Sequence, residues 1–449
     1  MKTAIAIAAS LPVVAGCSWG RFDEVTEETP VVLLHKPGEL KTGFGVSLST
    51  ATLDKRVRLL SAGGTGRTPA AVFDLGTGDQ PTLDASQKGY CSQAAGNTCF
   101  LGFAVAGMPQ LRVPNARDPL DLCFVLGVGT FSPDNGLLVR CADNTEFVLP
   151  AIPEVEEPID TALADPLQPA LVVLAADRDP KTPAMAAALP KSQLAWYYGP
   201  DSSDPRPLPV PSGASVPKSY GRTLSVLKVG TKRVIAVGAP DEGRVYLFAS
   251  EDPSSAWPIG CLGETENFGR SLAAGPVDAA GDDDLVIADA VNVHVFDGTA
   301  LATLPFTSSS SCSLGGLPAG ALIASFSCGS NGDVEGCASA DFGKAVAVGD
   351  LDGDGDGEVI VGAPGMQVRD VSQAGAVLIY DVEGATKHRL TEIKFLSSAE
   401  EKDGLGSSLA TPWLGTRHVI AAGAPGGGKT ALFYCSSLIP ASKRSARCR

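Results

Sequence analysis

Short apolar runs separated by turn residues recur along the chain, and they come in pairs. Val-Ile-Ala-Val (234–237) leads into Gly-Ala-Pro and then Arg-Val-Tyr-Leu-Phe (244–248). Val-Ile-Val (359–361) leads into Gly-Ala-Pro and then Ala-Val-Leu-Ile-Tyr (376–380). Runs of this length, bounded by Gly, Pro, Asp or Asn, predict β-strands, and few stretches carry the 3.6-residue period of a helix. With 51 Gly and 33 Pro in 449 residues, the composition fits an all-β, turn-rich body.

The paired strands belong to a longer unit: an aromatic or Leu followed by Gly, a strand, a turn, a strand, a Gly-Ala-Pro-like turn, and a further strand. Copies begin at Phe44, Tyr220, Phe268, Phe342 and Leu405. The later strands of these copies fall at 70–75, 243–248, 291–296, 374–380 and 430–434. Two weaker candidates lie between them, 101–107 with 121–127 and 170–177 with 194–198. Antiparallel units of this kind cannot bury both faces alone, and radial stacking into a propeller solves that problem. Seven units share residues 31–435 at about 58 residues each, room for four short strands and their loops, with six or eight blades as neighbouring solutions. Val31–Pro37 precedes the first unit much as 393–398 precedes the last, which predicts a strand closing the ring against the final blade and hiding its edges.

One unit carries unusual chemistry. Asp350, Asp352, Asp354, Asp356 and Glu358 occupy alternate positions with glycines among them. Carboxylates this dense repel one another unless a cation lies among them, and hard oxygen ligands on a short turning loop suit Ca²⁺. The alternative is a solvated acidic turn. An EF-hand is excluded: its loop needs Glu at position 12, which here is Val361, and helical flanks, whereas these flanks are strand-like. The loop therefore joins two strands, closed by an acid at position 9.

The whole segment Phe342–Pro364 resembles the FG-GAP repeat, the unit of integrin α-type β-propellers. That resemblance implies Ca²⁺ ligation by the side chains of Asp350, Asp352, Asp354 and Glu358, with Asp356 offering its backbone carbonyl. The family usually has Asp at position 9, so Glu358 bears on affinity more than on binding. In the Phe268 copy only Asp278 and Asp284 fall at ligand positions. Pro276 and Ala280 replace two others and Asp282 would offer only a carbonyl, which predicts weak binding or none. The copies at 220 and 405 have short turns bearing Lys232-Arg233 and Arg417-His418, and the first copy has Asp54-Lys55-Arg56; cations there exclude Ca²⁺.

Residues 1–16 form a short export signal ending in Val-Ala-Gly before Cys17, too short to span a membrane. Val-Ala-Gly-Cys resembles the bacterial lipobox, which implies lipidation at Cys17, an acidic tether over 17–30 and a cell-envelope location. Ser18 in place of Asp leans towards the outer membrane or cell surface. Setting Cys17 aside leaves ten of the 11 cysteines, an even number that suits disulfides in an exported chain. Spacing suggests local pairs such as Cys91–Cys99 and Cys123–Cys141, and no Cys-x-x-Cys points to zinc. A net charge of −15 argues against a nucleic-acid partner, and the basic tail within 436–449 is short.

Gly423–Thr430 matches the phosphate-loop pattern G-x-x-x-x-G-K-[ST] in full. It aligns without gaps to 238–245, a turn followed by a strand, whereas a phosphate loop needs a helix there, so no nucleotide is expected. The four histidines are scattered, His35 and His294 fall in strand-like runs, and no hydrolase serine motif occurs. Trp196-Tyr197-Tyr198 reads either as an exposed aromatic patch or as an ordinary strand. The function these features support is a lipid-anchored, calcium-stabilised, non-catalytic scaffold binding protein or glycan. A polysaccharide-acting enzyme or enzyme subunit, and a structural envelope component, are the alternatives.

Overall fold

The computed structural model describes residues 32–433 except 36–43, 63–69, 77–81, 84–99, 112–117, 130–135, 144, 151–172, 177–184, 190–193, 199–205, 209–218, 250–259, 264, 279, 305–316, 329–339, 352–354, 369, 384–385, 395–399 and 416–417. Cys17, the leader and tether at 1–30, the tail at 436–449, the Cys91–Cys99 pair, Arg417, and Asp352 and Asp354 all lie outside the described residues.

The chain folds as an all-β propeller of seven blades, each a four-stranded antiparallel sheet. The first strand, β1 (Val32–His35), belongs to the last blade. Blade 1 is β2 (Ser47–Leu53), β3 (Arg56–Ala62), β4 (Ala71–Asp74) and β5 (Thr82–Leu83). Blade 2 is β6 (Phe100–Leu111), β7 (Leu120–Gly129), β8 (Gly136–Arg140) and β9 (Glu146–Pro150). Blade 3 is β10 (Val173–Ala176), β11 (Met185–Leu189), β12 (Leu194–Tyr198) and β13 (Arg206–Leu208). Blade 4 is β14 (Thr223–Val229), β15 (Lys232–Ala239), β16 (Arg244–Ala249) and β17 (Gly260–Gly263). Blade 5 is β18 (Ser271–Gly275), β19 (Asp284–Ala288), β20 (Asn292–Phe296) and β21 (Leu322–Ser327), with a short helix α1 (Gly298–Ala302) before its outer strand. Blade 6 is β22 (Val346–Gly349), β23 (Glu358–Ala363), β24 (Ala376–Glu383) and β25 (Thr386–Lys394). Blade 7 is β26 (Ser408–Ala410), β27 (Ile420–Ala424) and β28 (Lys429–Phe433), completed by β1.

The predicted closure holds. Strand β1 pairs antiparallel with β28, Val32 opposite Leu432 and His35 opposite Lys429. Each first strand touches the first strand of the next blade, from β2 through to β26 and back to β2, so the ring has no gap. Closure covers the edges that an open sheet would leave unpaired.

The core is a set of seams between blades rather than one central mass. Seven apolar clusters each join two neighbouring blades. Strand periodicity builds them, because successive side chains point to opposite faces. Val359 and Val361 pack towards blade 5, while Ile360 between them packs towards blade 7. A strand buried on both faces reads as a continuous apolar run, which is why these strands stand out in the sequence.

The two degenerate units are blades 2 and 3. In blade 3 the sequence showed β10 and β12 but not β11 between them, whose Met-Ala-Ala-Ala-Leu lacks β-branched and aromatic residues. Trp196, Tyr197 and Tyr198 are an ordinary buried strand, at most 4% exposed. Cys123 and Cys141 form the expected local disulfide in the seam of blades 2 and 3. Cys261 and Cys328 are disulfide-bonded as well.

Candidate calcium loop and axial cavity

The aromatic-Gly and Gly-Ala-Pro elements of the repeat lock each blade to itself and to the next. Gly221, Gly269, Gly343 and Gly406 have φ of +82, +88, +81 and +88°, a region that glycine enters without a Cβ clash. Each donates its N–H to the carbonyl of the residue that opens the second turn of its own blade: Gly238, Ala288, Gly362 and Gly423, all at 3.0 Å. That second position meets the following blade. A Cβ on Gly362 would lie 2.0 Å from the Gly406 carbonyl oxygen, and one on Gly423 would lie 1.9 Å from that of Gly45. The two glycines of the motif are thus the two sides of one close backbone approach across a seam.

The loop between the first and second strands carries a second repeated contact. The N–H at position 8 of the acidic loop, and at the equivalent place just before the second strand in the shorter loop of blade 7, donates to the carbonyl at position 1 of the preceding blade. Asp283 bonds to Lys228 at 2.9 Å, Gly357 to Pro276 at 2.5 Å, and His418 to Asp350 at 2.6 Å. These bonds string blades 4 to 7 together along one face. The acidic loop of blade 6 sits inside that string, joined to blade 5 through Gly357 and to blade 7 through Asp350.

Of the five predicted ligands, Asp350, Asp356 and Glu358 are described. Asp350 and Asp356 are half-buried and Glu358 is 3% exposed. Glu358 opens β23, and its Oε2 accepts the Leu351 N–H at 2.6 Å, so the position-9 acid ties the loop's two ends. Gly355, at φ +108°, makes the turn in open space. Among the described residues no three Asp, Glu, His or Cys side chains converge as a metal set. The described oxygen donors of the loop, the buried Glu358 and the half-buried Asp350 and Asp356, are of the hard kind that suits Ca²⁺. Asp350, Asp352, Asp354 and Glu358 would hold Ca²⁺ by side chain, with the Asp356 carbonyl.

The blade 5 loop shows how the same frame is satisfied by backbone amides. Asp284, at position 9, accepts N–H groups from Val277 (3.0 Å), Asp278 (3.1 Å) and Gly298 at the start of α1 (3.1 Å). Asp282 takes the Gly230 N–H and Asp283 the Lys228 N–H, both at 2.8 Å, so these acids clamp the short turn of blade 4. That turn's own Lys232 is exposed. Burial pushes the Asp284 carboxyl up to about 7, against the Gly298 amide and with help from the Asp278 carboxylate, while the Val277 and Asp278 amides pull it down. The folded state therefore holds this proton more tightly than the unfolded chain. The stability the group contributes is full below about pH 4 and is lost as pH rises through 7. Denaturant titrations of wild type and Asp284→Asn should show the variant gaining on wild type by a few kcal/mol across that window. A pH-independent difference would contradict the assignment.

Lys429 and Thr430 of the phosphate-loop-like segment sit in strand β28, not at a helix start. The Lys429 ammonium lies 3.4 Å from the buried Asp403 carboxylate, and Thr430 Oγ1 is 2.8 Å from Ser61 Oγ across the closing seam. His294, expected to be structural, is buried in β20. Its Nε2 lies 3.0 Å from Asp289 and its Nδ1 3.1 Å from Ser325. Burial alone would raise the Asp289 carboxyl, but the His294 bond and the Val291 and Asn292 amides outweigh it and hold it well below the usual carboxylate range.

Inside the ring runs a cavity of about 610 Å³ lined by all seven first strands. At the fourth residue beyond the unit's aromatic or Leu stand Leu48, Leu224, Leu272, Val346 and Leu409, with Val105 from blade 2. The face that carries the acidic loop supplies Thr52, Thr411, Asp283, Trp413 and His418 to the lining. The Trp413 and His418 rings pack edge-on at 4.8 Å. The sequence marks His418 only as a basic residue at a turn; its place in the lining follows from the ring.

The FG-GAP repeat family model matches residues 342–380, from the first-strand entry of blade 6 through its third strand. Residues 342–380 are an FG-GAP repeat. The two glycines that name the motif are those of the seam contact described above, and the copies at 220, 268 and 405 make the same hydrogen bond. Among solved structures, one titled "Structure of Dos1 propeller" is similar, with a TM-score of 0.47 and 10% identity over 90% of this chain and 94% of that chain. No curated protein is similar enough to count as a match.

Proposed function

We propose that the protein is a calcium-stabilised, membrane-anchored scaffold of the bacterial cell envelope that binds a protein or glycan without transforming it. The observation that carries this reading is the axial cavity. All seven blades contribute to it, and concave, mostly apolar sites with a few placed polar groups are where ligands bind. Its described lining holds one carboxylate, Asp283, whereas glycoside cleavage uses a pair. The FG-GAP propeller is compatible with a binding scaffold, and the loop at 350–358 would stiffen the rim beside the cavity. Lipidation at Cys17 would hold the ring at the outer membrane or cell surface; no helix among the described residues is long and apolar enough to cross a membrane.

A pull-down tests this. The protein lacking residues 1–30 is incubated with cell-surface extracts, with Ca²⁺ or with EDTA. Calcium-dependent capture of one protein or glycan, reduced by Trp413→Ala, is expected. Turnover of a captured polysaccharide would favour the enzyme instead. Separately, Cys17→Ser should release the full chain from membranes, and continued membrane fractionation would count against the anchor.

A further inference from the structure

The outer half of blade 5 carries a carboxylate, an imidazole and a hydroxyl in series. Asp289 follows β19, His294 lies in β20, and Ser325 stands opposite His294 in β21. The His294 Nε2 lies 3.0 Å from Asp289 Oδ2, and its Nδ1 lies 3.1 Å from Ser325 Oγ. Asp289 is 1% exposed and accepts the Thr265 hydroxyl at 3.0 Å and the Val291 and Asn292 N–H groups at 2.7 and 2.6 Å. These donors keep it ionised, and a carboxylate can only accept. In the neutral imidazole Nε2 must therefore carry the proton and Nδ1 the lone pair, so the Ser325 hydroxyl donates to Nδ1. The ring is held between Phe268 and Phe296, at centroid distances of 5.8 and 6.3 Å.

The serine is the accessible end of this series. Asp289 and His294 are buried, whereas Ser325 is half-buried on the outermost strand of its blade. The strand pairing also places a backbone donor beside it. The Asn292 carbonyl accepts the Asp289 N–H on the β19 side, and the Asp297 N–H donates to the Ala321 carbonyl on the β21 side, both at 2.9 Å. Backbone groups alternate between the two sides along β20, which turns His294 towards β19. Ser325, opposite it, directs its own N–H to the outer edge, where no strand follows β21 in the sheet. A base bonded to the nucleophile, a carboxylate bonded to the base, and a backbone N–H at the nucleophile are the parts acyl transfer requires.

We infer that Ser325 is an activated nucleophile that accepts acyl groups from small neutral esters, with His294 as general base and Asp289 as a positioning residue. Ser325 Oγ adds to the ester carbonyl as its proton passes to His294 Nδ1, and the carbonyl oxygen becomes an oxyanion at the Ser325 N–H. Collapse breaks the bond to the alcohol, which leaves with the proton from Nδ1, and an acyl-serine remains. Water then adds to the acyl carbon, giving its proton to Nδ1; collapse returns that proton to Ser325 and releases the acid. An open strand edge suits a small substrate, and no Lys or Arg bonds to the series to select an anionic one. None of the three residues lines the axial cavity, so this inference is independent of the ligand proposed there.

A fluorophosphonate probe and 4-nitrophenyl acetate test it on the full chain. One phosphonyl group per chain is expected, located on Ser325 by peptide mass, with none there in Ser325→Ala. Ester hydrolysis should fall about 10²–10⁴-fold in Ser325→Ala and in His294→Gln. Ser325→Ala removes only a half-buried oxygen, so it reads the site even where His294→Gln loosens the blade, and melting curves accompany both. The role of Asp289 is read from the side-chain nitrogen resonances of His294, which should show the proton on Nε2 in the wild type and lose that preference in Asp289→Asn. No labelling, labelling undiminished by Ser325→Ala, hydrolysis equal in wild type and Ser325→Ala, or a proton on Nδ1 in the wild type would overturn the inference.

Discussion

Gly423→Ala is expected to destabilise the ring by about 3 kcal/mol or more, whereas Gly415→Ala costs roughly 1 kcal/mol. The two glycines differ in what surrounds them. A Cβ on Gly423 would lie 1.9 Å from the Gly45 carbonyl oxygen and 2.4 Å from Ser408 Oγ. Ser408 donates its hydroxyl to that same carbonyl at 2.7 Å, so the methyl would break a buried hydrogen bond as well as overlap a backbone atom. The obstacle is main chain of the neighbouring blade and cannot rotate away. This seam is also the one that closes the propeller, between blades 7 and 1. Gly415 has φ +87° but nothing within 4 Å, so alanine there meets only the backbone preference. Urea unfolding of the two variants against wild type measures the contrast. Equal losses would mean that the close approach of Gly423 and Gly45 contributes little to closure.

Much of this fold was legible because its repeats place glycine where a side chain is impossible. The pair of glycines at either end of each unit marks one backbone contact, and five copies kept enough of it to be seen. Blade 5 keeps its first glycine, Gly269, but has Ala288 at the second position, and it was still found through its aromatic and its spacing. Blades 2 and 3 were visible only as apolar runs, and β11 not at all, because three alanines in a row carry no strand preference. Strand β1 was found by its place before the first unit rather than by its composition.

The site was half legible. Alternating acids announced the loop at 350–358, and the paired position-9 acids, Glu358 and Asp284, make the same inward bond to position 2 in their two blades. What joins the loops could not be read. The bonds from position 8 to position 1 use backbone N–H and carbonyl groups, which every residue has and no pattern records. Pro276 illustrates this: it breaks the acidic series, yet serves the string as well as Asp350, because only its carbonyl is needed. The cavity was equally hidden. Its lining comes from residues spread from Leu48 to His418, and their common position within the unit matters only once the ring is closed.

Calcium is expected to raise the melting temperature, and the double variant Asp352→Ala/Asp354→Ala to abolish that rise. Binding to the folded state alone adds RT ln(1 + [L]/Kd), about 2.7 kcal/mol at one hundred times Kd. The loop's place in the string enlarges what that binding orders. Its Asp350 carbonyl holds the His418 N–H of blade 7 and its Gly357 N–H holds the Pro276 carbonyl of blade 5, so an ordered loop fixes three blades at once. Without a cation, the alternating carboxylates along this short loop repel one another, and one of them, Glu358, is buried. The blade 5 loop avoids that conflict because its acids accept backbone amides, Asp278 Oδ1 taking the Ala280 N–H at 2.9 Å, so Asp278→Ala should leave the calcium response unchanged. A local reporter is available: the Trp413 indole packs on His418, one hydrogen bond from the loop, and its fluorescence should shift on adding calcium to protein in which Trp196 and Trp257 are replaced by Phe and residues 1–30 are removed. Identical melting in excess calcium and in EDTA would reject the metal site outright. A thermal response without a Trp413 shift would instead confine the loop's effect to its own blade and remove the link to the cavity rim.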